Sequence, residues 1–158
     1  MSDSRAGDLP LTGGCQCGAV RYALHARPEG VHVCHCRMCQ KAVGGPFAAL
    51  APVRLAYFAW TRGAPALFRS SSAAERGFCS ACGTPLTYRF VEGPNISVTG
   101  CSLDDPEAIR PDLQYSIDRK LSWIGSLDGL PGKRLDEFIT PELAKRFVDH
   151  QHPDEETK

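Results

Sequence analysis

Cys15-Gln16-Cys17-Gly18-Ala19-Val20-Arg21-Tyr22-Ala23-Leu24-His25 carries two signals at once. Two thiols stand one residue apart, and a glycine follows the second. Beyond it, Val20, Tyr22 and Leu24 alternate with Arg21, Ala23 and His25, the period of a strand with one buried face. The stretch reads as a thiol-bearing turn that feeds a β-strand. A related turn, Cys79-Ser80-Ala81-Cys82-Gly83, leads in the same way into residues 84–90, rich in β-formers.

Further short runs of this kind lie at 47–53, 66–70, 96–101 and 113–118, each set off by Gly, Pro or Ser. With 15 glycines and 12 prolines in 158 residues, turns are frequent and long helices are not expected. The expectation is one mainly β domain over 11–150, built of short antiparallel strands with a few short helices. Asp105-Pro106-Glu107 and Thr140-Pro141-Glu142 each place a capping side chain before a first-turn proline and an acid. The second leads into Leu143, Ala144, Phe147 and Val148, so a C-terminal helix over 140–150 is expected to pack on the sheet. Residues 1–10 and 151–158 are polar and are expected to be flexible.

Eighteen basic side chains balance eighteen acidic ones, with no run of like charge. The electrostatic footprint of nucleic-acid binding is missing, so no nucleic-acid partner is expected. Charge-free stretches such as 42–53 fall well short of the roughly 18 to 20 apolar residues of a spanning helix, and no membrane association is expected. No basic segment with an apolar core opens the chain, which points to a cytoplasmic address. In that reducing compartment the eight cysteines read as metal ligands rather than disulfides.

Cys15, Cys17, Cys79 and Cys82 supply four thiolates from two tight turns, and a glycine after each second thiol tolerates the positive φ such a turn requires. Four sulfurs close a tetrahedral zinc site against water, so its expected role is structural. Cys34-His35-Cys36-Arg37-Met38-Cys39 differs: three thiols crowd into six residues without an obvious fourth. Three ligands leave a position for a reactant, as in catalytic zinc sites. The alternative is a second closed zinc completed by Cys101, His35 or His32. Cys101 ends an apolar run and reads as a small buried hydrophobe. His25 and His32 read as turn residues, and His150 and His152 as solvated. His35, between two ligands, is the candidate for a supporting hydrogen bond or a proton-transfer role. Arg37 and Lys41 bring positive charge near the thiols.

Taken in order, Gly13-Gly14-Cys15-Gln16-Cys17-Gly18-Ala19-Val20-Arg21-Tyr22, Cys34-His35-Cys36-Arg37-Met38-Cys39 with Gly44 and Phe47, Arg76-Gly77-Phe78-Cys79-Ser80-Ala81-Cys82-Gly83-Thr84-Pro85-Leu86, and Ser102-Leu103-Asp104-Asp105-Pro106 resemble one family. It is the glutathione-dependent formaldehyde-activating enzyme-like family, which includes centromere protein V. The resemblance implies a tent-like β domain stapled by zinc, two zinc ions per chain, Cys15, Cys17, Cys79 and Cys82 as structural ligands and Cys34, Cys36 and Cys39 as catalytic ones. It also implies a carbon–sulfur lyase that joins glutathione and formaldehyde to S-hydroxymethylglutathione, with a small thiol as partner. The alternative from another class is a zinc-stapled binding or scaffold module without turnover. Neither spacing nor resemblance specifies the oligomeric state.

Overall fold

The computed structural model describes residues 8–157; the expected flexibility of 1–7 and 158 lies outside these residues. The chain runs through β1 (Leu11–Gly14), β2 (Arg21–Leu24), β3 (His32–Cys34), α1 (Arg37–Val43), β4 (Ala48–Arg54) and β5 (Phe58–Arg62). It continues through β6 (Ala66–Arg69), β7 (Ala74–Phe78), β8 (Pro85–Phe90), β9 (Asn95–Thr99), β10 (Leu113–Tyr115) and α2 (Pro141–Arg146), with single 3-10 turns and one longer 3-10 stretch, Ser122–Gly129, between. A three-stranded sheet, β1-β2-β5, faces a seven-stranded one in the order β10-β3-β4-β9-β8-β7-β6. The mainly β expectation holds. One pairing departs from the antiparallel rule: β10 lies parallel to β3, with Tyr115 opposite Cys34.

All six anticipated strands form. The four that were not anticipated are short or carry glycine where backbones come close. In β1, a Cβ on Gly13 would lie 2.5 Å from the Tyr22 hydroxyl; in β7, one on Gly77 would lie 2.4 Å from Thr87 Oγ1. Glycine weakens strand propensity but is the residue that permits each contact.

The core forms where the inward faces of both sheets meet. Tyr22, Leu24, Leu86 and Val98 are fully enclosed, joined by Leu11, Val20, Val53, Ile96 and Leu103. Phe58 stacks on Tyr22 at 5.8 Å and Trp60 meets it edge-on at 6.2 Å. Ser102 Oγ donates to the Thr99 carbonyl at 2.8 Å, leaving the Tyr22 hydroxyl to donate to Ser102 Oγ at 2.7 Å. The buried phenol is thereby satisfied.

The C-terminal third corrects two expectations. Thr140 caps Leu143 N–H at 3.2 Å, but α2 ends at Arg146. Leu143, Phe147 and Val148 are exposed rather than packed on the sheet. No described residue after Leu103 is buried. At Asp105-Pro106-Glu107 the helical start yields one 3-10 turn, Pro106–Ala108. The tail hydrogen-bonds to the domain: His152 N–H donates to Gln16 O at 2.7 Å, and Arg62 reaches Thr157 Oγ1 at 2.9 Å. Among the described residues no helix is long and apolar enough to cross a membrane.

Candidate metal centres

The two thiol turns are built alike. Cys15 N–H donates to Val20 O at 2.9 Å, and Cys79 N–H to Thr84 O at 3.0 Å, closing two loops of equal length. Gly18 (φ 76°) and Gly83 (φ 78°) take the left-handed conformation expected after each second thiol. Thr84 joins the turns, its hydroxyl accepting from Gln16 N–H at 3.0 Å and lying 3.2 Å from Cys82 Sγ.

The four sulfurs of Cys15, Cys17, Cys79 and Cys82 all lie within 4.8 Å of one another. Cys15 and Cys17 are 3.6 Å apart, Cys17 and Cys79 3.8 Å. A tetrahedron of zinc–sulfur bonds about 2.3 Å long separates its sulfurs by about 3.8 Å. The spacing therefore fits such an ion, and Val20 N–H donates to Cys15 Sγ at 3.3 Å, as it would to a bound thiolate.

The second cluster joins Cys34 at the end of β3, Cys36 at the N-cap of α1 and Cys39 in its first turn, again within 4.8 Å of one another. Cys36 is why α1 starts where it does: its sulfur accepts from Cys39 N–H at 3.4 Å, and Gly44 (φ 64°) ends the helix. Among the described residues no fourth Cys, His, Asp or Glu joins the three. They open into a cleft of about 460 Å³ with Arg76, Tyr88 and Tyr115 on its walls.

The thiols within each cluster differ in acidity. Burial works against ionising Cys82, but the hydroxyl and amide of Thr84 and contacts with Cys17 draw it down to about 6. The Ala19 amide favours the Cys17 thiolate, yet desolvation and contacts with Cys82, Cys15 and Cys79 push that thiol up to about 12. In the second cluster burial opposes the Cys36 thiolate, but hydrogen bonds with Cys39 and Cys34 and the charge of Arg76 hold it below the ordinary value. Burial pushes Cys39 up to about 12 despite Arg76. In each cluster one thiol is drawn below its ordinary value and another is held above it, with desolvation the largest raising cause at both Cys17 and Cys39.

Several residues stand elsewhere than expected. Cys101 is exposed, not buried; a 3-10 turn, Gly100–Ser102, rotates it outward onto a separate cavity of about 860 Å³ that holds neither metal cluster. His35 is buried and turns away from the cleft, its Nε2 3.0 Å from Gln114 Oε1 and its ring edge-on to Phe47 at 5.6 Å. Arg37 and Lys41 are exposed on α1 and do not line the cleft. His32 does line it, while His25 and His150 face solvent and His152 is half-buried.

The cation beside the thiols is Arg76. Its Nη2 donates to Cys39 Sγ at 3.3 Å while its guanidinium lies 4.7 Å from the Tyr88 ring centre. Tyr88 is its partner across the β7–β8 ladder. Its position three residues before Cys79 was the available signal, since one short strand spans both clusters.

A family model described as glutathione-dependent formaldehyde-activating enzyme matches residues 10–119. An uncharacterized lyase of Schizosaccharomyces pombe is 29% identical over 109 residues, 68% of this chain and 79% of that protein. A candidate glutathione-dependent formaldehyde-activating enzyme of Halomonas elongata is 27% identical over 124 residues, 72% of this chain and 79% of its own. The crystal structure of a Rhodobacter sphaeroides protein shares the fold, with a TM-score of 0.51 at 23% identity over 67% of this chain and 100% of that one.

Proposed function

Because the chain belongs to the glutathione-dependent formaldehyde-activating enzyme family, we propose that it is a zinc-dependent carbon–sulfur lyase acting on the adduct of a small thiol. The favoured thiol is glutathione, and the favoured adduct is the one it forms with formaldehyde, S-hydroxymethylglutathione. In this reading Cys15, Cys17, Cys79 and Cys82 hold a structural zinc and Cys34, Cys36 and Cys39 a catalytic one, two ions per chain. The observation that carries it is the three-sulfur cluster opening into a cleft without a fourth protein ligand among the described residues. One tetrahedral position is left for a reactant.

Zinc, which Cys34, Cys36 and Cys39 would hold, would supply Lewis acidity that favours the thiolate form of a small thiol near neutral pH. The chain's own residues do the rest. Cys36, as helix cap and ligand together, ties the site to α1, so the sulfurs are placed before any reactant arrives. Arg76 sets a positive charge against Cys39, reducing the repulsion a further anionic sulfur meets on entry. Leu50, Pro52 and Phe90 give the cleft apolar walls that exclude water. The reactant sulfur then forms its bond to the formaldehyde carbon, and the carbonyl electron pair moves to oxygen, which takes a proton from solvent in exchange for the one the thiol released. Cleavage is the reverse. His35 acts here as a positioning residue: through Gln114 it fixes β10, which carries Tyr115 of the cleft wall.

A single zinc-binding domain over 11–150 in the reducing cytoplasm completes the reading. Calorimetric titration of the zinc-loaded protein with glutathione, with and without formaldehyde, tests it. The expected result is one saturable site per chain whose heat changes when formaldehyde is present. No heat with glutathione or other small thiols would replace the enzyme by a zinc-stapled scaffold module.

A further inference from the structure

Beyond β10 the chain touches the domain at Arg119, whose carbonyl accepts from Gln40 Nε2 at 3.2 Å, and returns to it at His152. After Arg119, residues up to 149 make hydrogen bonds to near neighbours, such as Ile124 N–H to Leu121 O and Ala144 N–H to Thr140 O, and none of residues 117–149 is buried. Yet the stretch is apolar. Ten of its large hydrophobic side chains are exposed, among them Ile117, Trp123, Leu130, Leu135, Phe138 and Phe147. The family match ends at residue 119, so nearly all of this arm lies beyond it.

The surface area says how large a partner the arm needs. The chain exposes 10741 Å², whereas a 17.2 kDa monomer should expose about 7,800 Å². Subtracting about 1,300 Å², the most that eight residues can contribute, for those outside the description leaves an excess of at least about 1,600 Å². Two copies that each hid this excess would bury about 3,200 Å², the range of permanent homodimers.

Charge and shape favour a second copy over other partners. The arm carries six acidic and six basic residues interspersed along it. It has no surplus with which to hold an anionic lipid surface or nucleic acid. It presents both protruding apolar side chains and a groove of about 760 Å³ lined by Leu135, Ile139, Ala144 and Phe147. A twofold pair needs that self-complementarity, because each copy must offer both halves of the contact.

We infer that residues 117–149 form a dimerisation arm whose apolar face packs on a second copy of this chain. Sedimentation equilibrium of the zinc-loaded full chain at micromolar concentration should return twice the 17.2 kDa mass. The double variant Leu130→Asp/Phe138→Asp changes only exposed side chains, so it should keep its zinc content and sediment as a monomer. A monomeric native protein, or a double variant that stays dimeric, would overturn the inference. A monomer that pellets with phosphatidylglycerol vesicles would do the same, assigning the arm to a membrane surface.

Discussion

Arg21 grips Asp104 through two parallel hydrogen bonds, Nη1 to Oδ1 at 2.8 Å and Nη2 to Oδ2 at 2.6 Å, although 83 residues separate them. Thr12 adds a third bond to the same carboxylate, and Glu156 approaches Arg21 from the tail at 3.2 Å. The Arg21 side chain is 2% exposed and that of Asp104 11%, so removing the Asp104 charge leaves the buried guanidinium only the more exposed Glu156 carboxylate. Asp104→Asn should cost about 3 kcal/mol in denaturant unfolding of the zinc-loaded protein.

The same pair sets a pH dependence. Burial opposes the Asp104 charge, but the hydrogen bonds from Arg21 and Thr12 and the guanidinium charge hold its carboxyl below the ordinary range. With the folded value depressed, the stabilisation is fully present above the unfolded value of about 3.9 and is lost as pH falls through the folded one. The stability gap between native and Asp104→Asn protein should stay constant from pH 8 to 5 and narrow only below about pH 4. Urea titrations across this range check it, and a gap that closes near neutrality would contradict it.

The two clusters should respond differently to loss of a sulfur. Cys79→Ser opens the four-sulfur centre beneath the core and should lower stability by more than about 4 kcal/mol. Cys36→Ser leaves a serine to cap α1 and should keep the melting temperature within a few degrees while abolishing thiol binding. Thermal melts beside glutathione titrations separate the two outcomes. Equal unfolding of both variants would remove the division of labour.

Arg76→Met keeps most of the side-chain volume over Tyr88 but removes the donor to Cys39. Thiol affinity at the three-sulfur centre should fall roughly 10-fold or more with the fold intact. Arg76→Lys, which keeps the charge without the planar stack, should recover part of it. Competition with a chromophoric chelator reads the accompanying weakening of that metal site.

Gly83→Ala and Gly18→Ala both force a left-handed backbone on alanine, at a cost of about 1 to 2 kcal/mol. Only Gly18 has a neighbour, since a Cβ there would meet the His152 ring at 2.2 Å whereas one on Gly83 meets open space. Limited proteolysis should therefore release the segment after residue 150 faster in Gly18→Ala than in Gly83→Ala.

Much of this was legible from local chemistry. The left-handed glycines followed from thiol spacing, and Val20, Tyr22 and Leu24 announced a strand because the buried face repeats every second residue. What stayed hidden depends on register and on partners. Glu75-Arg76-Gly77 does not look like a sheet interior, and only the pairing of Arg76 with Tyr88 brings its guanidinium to Cys39. Thr99 ends β9 two residues before Cys101, and the turn that follows sends Ser102 inward to Tyr22 and Cys101 out. Leu143, Phe147 and Val148 have the spacing of a core-facing helix, but periodicity specifies an apolar face without naming what covers it.

The central claim is that one metal is sealed by four sulfurs and the other is held by three with a place for a reactant. Replacing both zinc ions by cobalt and titrating with glutathione tests it, because the visible bands of tetrahedral cobalt respond to a change of ligand. The account predicts that the bands of one ion of the two shift to a saturable end point, and that Cys36→Ser abolishes the shift. Bands that do not respond to any small thiol, or that change equally at both ions, would contradict it.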